Sequence, residues 1–185
     1  MIWASIGIVI YVAIRFKFTY AIAAIIALIH DVLMVILFFA NFNIEITTIF
    51  IAAILTIIGY SINDTIVTFD MIRENYTKKY KNNITNKEDL IDLVNMSVRL
   101  TVFRSILTTI TTILPVICLI LFGSREIVNF NIALLVGFIA GVYSSIYISN
   151  QIWLVLEIKS LGKKPKEKKE DDDELEELKI KGINC

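Results

Sequence analysis

The chain has 185 residues, 56% of them hydrophobic and 19% charged, and its 18 basic and 18 acidic side chains give zero formal charge. A soluble domain runs at about 45–50% apolar, so this excess argues against a soluble enzyme, and with two prolines and seven glycines it excludes disorder over most of the length. Neutral bulk charge predicts no nucleic-acid partner, and one histidine with two distant cysteines, Cys118 and Cys185, supplies neither a disulfide framework nor a zinc site.

Residues 1–14 are apolar but cover only about 21 Å as a helix, short of the ~30 Å hydrocarbon core. Arg15 and Lys17 follow the run rather than precede it, the reverse of a signal peptide. The segment reads as the end of a transmembrane helix that begins upstream. Full spans are expected at 18–40, 45–69, 100–122 and 127–156. Between the second and third, Thr85-Asn86-Lys87-Glu88 reads as a capping box. Leu90, Ile91, Leu93, Val94 and Val98 follow it opposite Glu88, Asp89 and Asp92. This predicts an amphipathic lead-in at the inner membrane surface, continuous with the third span; an ordinary solvated helix is the bland alternative. Pro115 is expected to kink the third span, and Trp153 to sit in an interfacial belt. Residues 159–185 form a charged tail, with five lysines in 163–169 and seven acids in 170–177.

Basic residues alternate strictly between loops. Arg73, Lys78, Lys79, Lys81, Lys87 and Arg99 fill the long loop and eight lysines fill the tail, whereas 41–44 holds none and 123–126 only Arg125. The positive-inside rule places the long loop and C-terminus in the cytoplasm and Met1 outside.

Ionisable residues within the spans cost at least about 2.5–3.5 kcal/mol each on insertion scales. Asp31 lies nine residues before Ala40, close to midplane. It is either a proton-relay position or a buried acid satisfied by a neighbouring helix. His30, about 100° away around the helix, reads first as structural. Asp64 is 18 residues from Ile46, and Arg104 is 18 residues from Phe122. The two stand at matched depth on antiparallel spans and are expected to pair, as a fixed staple or as a latch that proton uptake opens. Arg104, Thr108 and Thr111 share one face, with Thr101, Ser105, Thr109 and Thr112 on a neighbouring stripe. Ala52, Thr56, Gly59 and Asn63 share a face of the second span. Ala133, Gly137, Gly141 and Ser145, spaced by four, predict close helix packing.

The run Gly59-Tyr60-Ser61-Ile62-Asn63-Asp64-Thr65-Ile66-Val67, with Asp70 and Ile72-Arg73-Glu74-Asn75, resembles the signature of the SecF family of protein-export membrane subunits, in the resistance-nodulation-division superfamily. His30-Asp31, Asn95-Met96-Ser97 leading to Arg104 and Thr108-Thr109, Thr111-Thr112, and Gly141 with Tyr143-Ser144-Ser145-Ile146 agree with it. The resemblance covers about residues 11–158. It implies a partner in SecD, association with the SecYEG channel and with SecA, and use of the proton-motive force to help export unfolded polypeptide across the bacterial cytoplasmic membrane. By motif it makes Asp64 and Arg104 the proton-handling pair; the residues themselves add Asp31, Asn63, Asp70 and His30 as expected relay positions and Thr108, Thr111 and Thr112 along the polar seam. Family members carry six transmembrane helices, with an outward-facing domain between the first two. This sequence matches from the end of the second helix onward and so reads as the transmembrane motor part.

The expected fold is an all-α membrane protein. Residues 1–158 form a bundle of about five transmembrane helices, the first one partial, with a cytoplasmic amphipathic helix. No enzyme chemistry, cofactor or metal is expected. The alternatives are a proton-coupled small-molecule exporter of the same superfamily and a passive scaffold subunit.

Overall fold

The computed structural model describes residues 18–80, 84 and 86–161. The described residues form α1 (Phe18–Asn41), α2 (Thr48–Tyr80), α3 (Lys87–Phe122), α4 (Arg125–Tyr143) and α5 (Ser149–Leu161). A π-helical turn, Ser144–Ile148, joins α4 to α5 without a break. The result is four long apolar rods, each able to cross a bilayer by length and composition. The expected span at 1–14, the capping-box threonine Thr85 and the tail from residue 162 lie outside the described residues.

Within hydrocarbon the backbone must satisfy its own polar groups, so an apolar run without helix breakers folds as a helix. Residues 18–41 contain neither glycine nor proline. The helix ends where Asn43 takes φ 50°, the left-handed conformation that asparagine tolerates better than most residues. There the Ile44 N–H donates to the Phe39 carbonyl at 3.0 Å and the Asn43 N–H to the Ala40 carbonyl at 3.4 Å. These two bonds satisfy orphan carbonyls in the manner of a Schellman stop.

The second and third helices overrun their expected spans. With 33 and 36 residues they measure about 50 and 54 Å, against ~30 Å of hydrocarbon. The excess forms an antiparallel hairpin beyond the bundle. Asn75 Nδ2 donates to Ser97 Oγ at 2.9 Å, and both Lys79 Nζ and Tyr80 Oη reach Asp92 Oδ2 at 2.9 Å. The stretch expected as an amphipathic lead-in is the start of α3, and its apolar face meets protein rather than the membrane surface. Leu90, Leu93 and Val94 are buried with Phe69, Ile72 and Ile84, because the extension of α2 offers a closer apolar surface than lipid would. Pro115 sits inside α3 without ending it.

The core divides into two apolar clusters. Near the hairpin end lie Tyr20, Ala24, Phe69, Ile72, Leu93 and Trp153. Toward the opposite end lie Val35, Phe39, Phe50, Ile57, Val116 and Phe138. Trp153 is therefore a core residue, 2% exposed and stacked on Tyr20 at 4.9 Å, not an interfacial one. Outside, large apolar side chains such as Phe103 and Phe122 are exposed, a liability in water and the proper surface for lipid.

Candidate functional site: a polar layer inside the bundle

Between the two apolar clusters, every helix of the bundle turns polar groups inward. Asp31, Ser61, Thr65, Thr101, Ser105, Thr109, Ser144 and Ser145 are all buried. Two carboxylates organise this layer.

Asp31, on α1, is fully buried. Its Oδ2 accepts from Ser61 Oγ of α2 at 2.5 Å, and its Oδ1 lies 3.3 Å from His30 Nδ1. The Ser144 hydroxyl, buried nearby, donates to the Gly141 carbonyl of its own helix at 3.1 Å. Close approach of α4 depends on glycine here. A Cβ on Gly141 would sit 3.4 Å from Ser61 Cβ and 3.8 Å from Asp31 Oδ2, and one on Gly137 would collide with the Ile57 side chain. Ala133, Gly137, Gly141 and Ser145 are all buried. Ser145 Oγ bridges to the Ser61 carbonyl at 3.3 Å and to Thr65 Oγ1 at 3.0 Å. His30 is half-buried beside the Tyr143 ring.

Asp64, on α2, faces α3. Its Oδ1 accepts from Ser105 Oγ at 2.6 Å, and its Oδ2 is buried without a hydrogen-bond partner. The pairing with Arg104 expected from matched depth does not form as an ion pair. Arg104 is exposed, although its charge still acts on Asp64. Depth along a helix says nothing of direction around it, and consecutive residues point about 100° apart. The stripe turned inward is Ser97, Thr101, Ser105 and Thr109, joined to α2 also through Tyr60 Oη and Thr109 Oγ1 at 2.9 Å. Arg104, Thr108 and Thr111 turn outward, and Thr112 is partly covered. The hydroxyls of Thr108, Thr111 and Thr112 bond back to carbonyls of their own helix at 2.8–3.1 Å, which satisfies them in an apolar medium.

Asn63 is exposed, together with Ala52, Thr56 and Gly59 on the same face of α2. Asp70 lies six residues beyond Asp64, about 9 Å along the axis. It lines a shallow cleft with Arg73, Glu74 and Thr77 on the extension of α2, away from both carboxylates. The structure thus joins Asp31 with His30 and Asp64 with Ser105. It leaves Arg104, Asn63, Thr108 and Thr111 on the outer surface of α2 and α3. Ser61 and Ser105 stand in runs that the sequence already marks, but nothing in the sequence reading made them the partners of Asp31 and Asp64. A signal was present for Ser105, in the four-residue spacing of Ser97, Thr101, Ser105 and Thr109.

Residues 1–159 match the family model described as protein export membrane protein SecD/SecF, C-terminal. The chain is 51% identical over 160 residues to the protein translocase subunit SecDF of Bacillus subtilis, covering 86% of this chain and 21% of that protein. It is 45% identical over 172 residues to the protein translocase subunit SecF of Sebaldella termitidis, covering 91% of this chain and 54% of that one. A crystal structure of SecDF from Thermus thermophilus, described as a translocon-associated membrane protein, superposes with a TM-score of 0.72 at 39% identity, over 82% of this chain and 20% of that one. The chain spans about half the length of the SecF relative and about a fifth of the SecDF proteins. A helical bundle with a buried polar layer, matched along nearly its whole length by one family model, is a member of the SecD/SecF C-terminal family of membrane proteins.

Proposed function

We propose that this chain is an accessory, proton-coupled part of the Sec protein translocase, assisting export of unfolded polypeptide across the bacterial cytoplasmic membrane, with no chemistry performed on a substrate. Its translocase-subunit relatives support the first half of that reading. The observation that carries the second is the state of Asp64. One carboxylate oxygen is held by Ser105 and the other is buried and unpaired, while a guanidinium, Arg104, waits one residue before Ser105 on α3, on the exposed side. A charged acid in that setting has a reason to take up a proton or to capture Arg104. Either event changes how α2 seats on α3. Asp31 and His30 form a second stage of the relay, and Asn63 and Asp70 flank the route.

The outward polar faces of α2 and α3 fit a second helical bundle, and the relatives in which SecD and SecF share one name point to SecD as that partner. SecYEG, SecA and the moving polypeptide complete the assembly in this reading. The basic residues place the hairpin end in the cytoplasm.

The test is Asp64→Asn, read both by co-purification with SecD and by proton-dependent export. Retained assembly with export cut on the order of tenfold, about 1.4 kcal/mol in barrier terms, is the expected result. Unchanged export would favour the scaffold reading. Loss of assembly would favour a static staple, which the short Ser105 bond could equally serve.

A further inference from the structure

Two buried polar atoms on α5 have no partner among the described residues. Asn150 and Trp153 are 0% and 2% exposed, and neither Asn150 Oδ1 nor Trp153 Nε1 makes a hydrogen bond. The Asn150 amide is fixed in direction. Its Nδ2 donates to the Ile146 and Ser145 carbonyls at 2.6 and 3.3 Å, so a flipped amide would set its oxygen against two others. Oδ1 is therefore an unsatisfied acceptor, and the indole N–H, which can only donate, is an unsatisfied donor. Residues three apart are neighbours on a helix surface, and a long side chain leans over the turn before its own Cα. The Trp153 ring thus covers the turn that holds Ser149 and Asn150. Ser149 is buried too, and its hydroxyl donates to the Ser145 carbonyl at 2.7 Å, which leaves its oxygen free to accept. The helix across the seam offers these groups nothing. α1 packs against α5 and the π turn. Between Tyr20, which stacks on Trp153, and Asp31, the buried residues of α1 are Ala21, Ala23, Ala24 and Ala27. Alanine brings no hydrogen-bonding side chain and takes up little room.

We propose that Ser149, Asn150 and Trp153 bind one water molecule in the seam between α5 and α1. The indole N–H donates to it, and it donates to Asn150 Oδ1 and to the Ser149 hydroxyl oxygen. That gives it three bonds, the usual complement of a buried water. A dry seam would leave a donor and an acceptor unpaired in an apolar medium, and one water satisfies both at once. The site has a definite place in the bundle. Ser145, whose carbonyl holds both Ser149 and Asn150, is itself bonded to Thr65 and to the Ser61 carbonyl in the polar layer. One turn beyond Trp153, Glu157 of the same helix lies 3.5 Å from Thr19 Oγ1 at the start of α1. The water therefore stands between the polar layer and the hairpin end, inside the apolar cluster that otherwise separates them. It also braces the π turn, because the asparagine that it holds is the one that caps two carbonyls there. This goes beyond the export reading and does not rest on it, since neither Asp64 nor Arg104 takes part.

The test is magnetisation transfer from water to nitrogen-bound protons, read by solid-state NMR on the full chain in lipid nanodiscs with labelled tryptophan and asparagine. The chain has two tryptophans, and Trp3→Phe leaves the Trp153 indole as a single signal. A bound water is expected to feed that signal at short mixing times, at least about threefold faster than in Asn150→Leu, which keeps the size of the side chain and removes the acceptor. An indole that receives nothing from water overturns the proposal, and so does one that receives as much in Asn150→Leu. Should Asn150→Leu not fold, Trp153→Phe keeps a ring against Tyr20 and removes only the donor. Transfer from water to the Asn150 side-chain amide is then expected to fall at least about twofold, and equal transfer overturns the proposal as well. Asp64→Asn, which tests the export reading, is expected to leave both signals as in the parent, so the two readings fail separately.

Discussion

A single hydroxyl decides how Asp64 is held. Ser105 is the only group bonding its side chain among the described residues, and a hydrogen bond to a charged group contributes about 1.5–3 kcal/mol. Ser105→Ala is therefore expected to lower stability in detergent by roughly that amount, and by much less in an Asp64→Asn background, as a double-mutant cycle on thermal melting would show. Arg104→Ala, exposed and unpaired with Asp64 in this state, is expected to cost under about 0.5 kcal/mol while still impairing proton-dependent export. The sequence announces both charges, because ionisable residues in an apolar run stand out. It does not announce their partners. Matched depth is legible from counting, whereas facing is set by how each helix is rotated against its neighbours, and Ser105 displaces Arg104 by one step around α3. Ser61 is an ordinary small polar residue until folding brings it to Asp31.

At the scale of elements, the four full spans were legible from hydropathy and the packing stripe of α4 from its spacing. The length of α2 was not, since its extension is polar enough to read as a loop, whereas the lead-in of α3 was legible from its capping box and apolar spacing and only its seat against α2 was missed. Both are helical because each buries an apolar edge against the other. Leu93→Ala in that hairpin is expected to cost about 2–5 kcal/mol, as buried leucines do. Asp92→Ala, which breaks only the exposed contacts to Lys79 and Tyr80, should cost far less, since solvent screens such contacts. Chemical denaturation of the two variants separates the cases. Gly137→Ala should destabilise by about 1–3 kcal/mol through overpacking on Ile57. The π turn had no sequence signal, because one surplus residue within a helical run leaves the hydropathy pattern almost unchanged.

Over the whole molecule, the outer surface divides into lipid-like faces and one polar strip across α2 and α3. Gly59 lies in that strip, with nothing within 4 Å of the position its Cβ would take. Gly59→Leu is thus expected to leave the chain folded, with a melting temperature near that of the parent, yet to weaken co-purification with SecD. Equal recovery of SecD would show that the strip faces lipid instead. The hairpin has a mechanical meaning of its own. Two stiff rods anchored in the bilayer and reaching about 16–20 Å past it act as a pointer, so a small rocking in the lipid is magnified at their tip, where a neighbour in the aqueous phase could feel it.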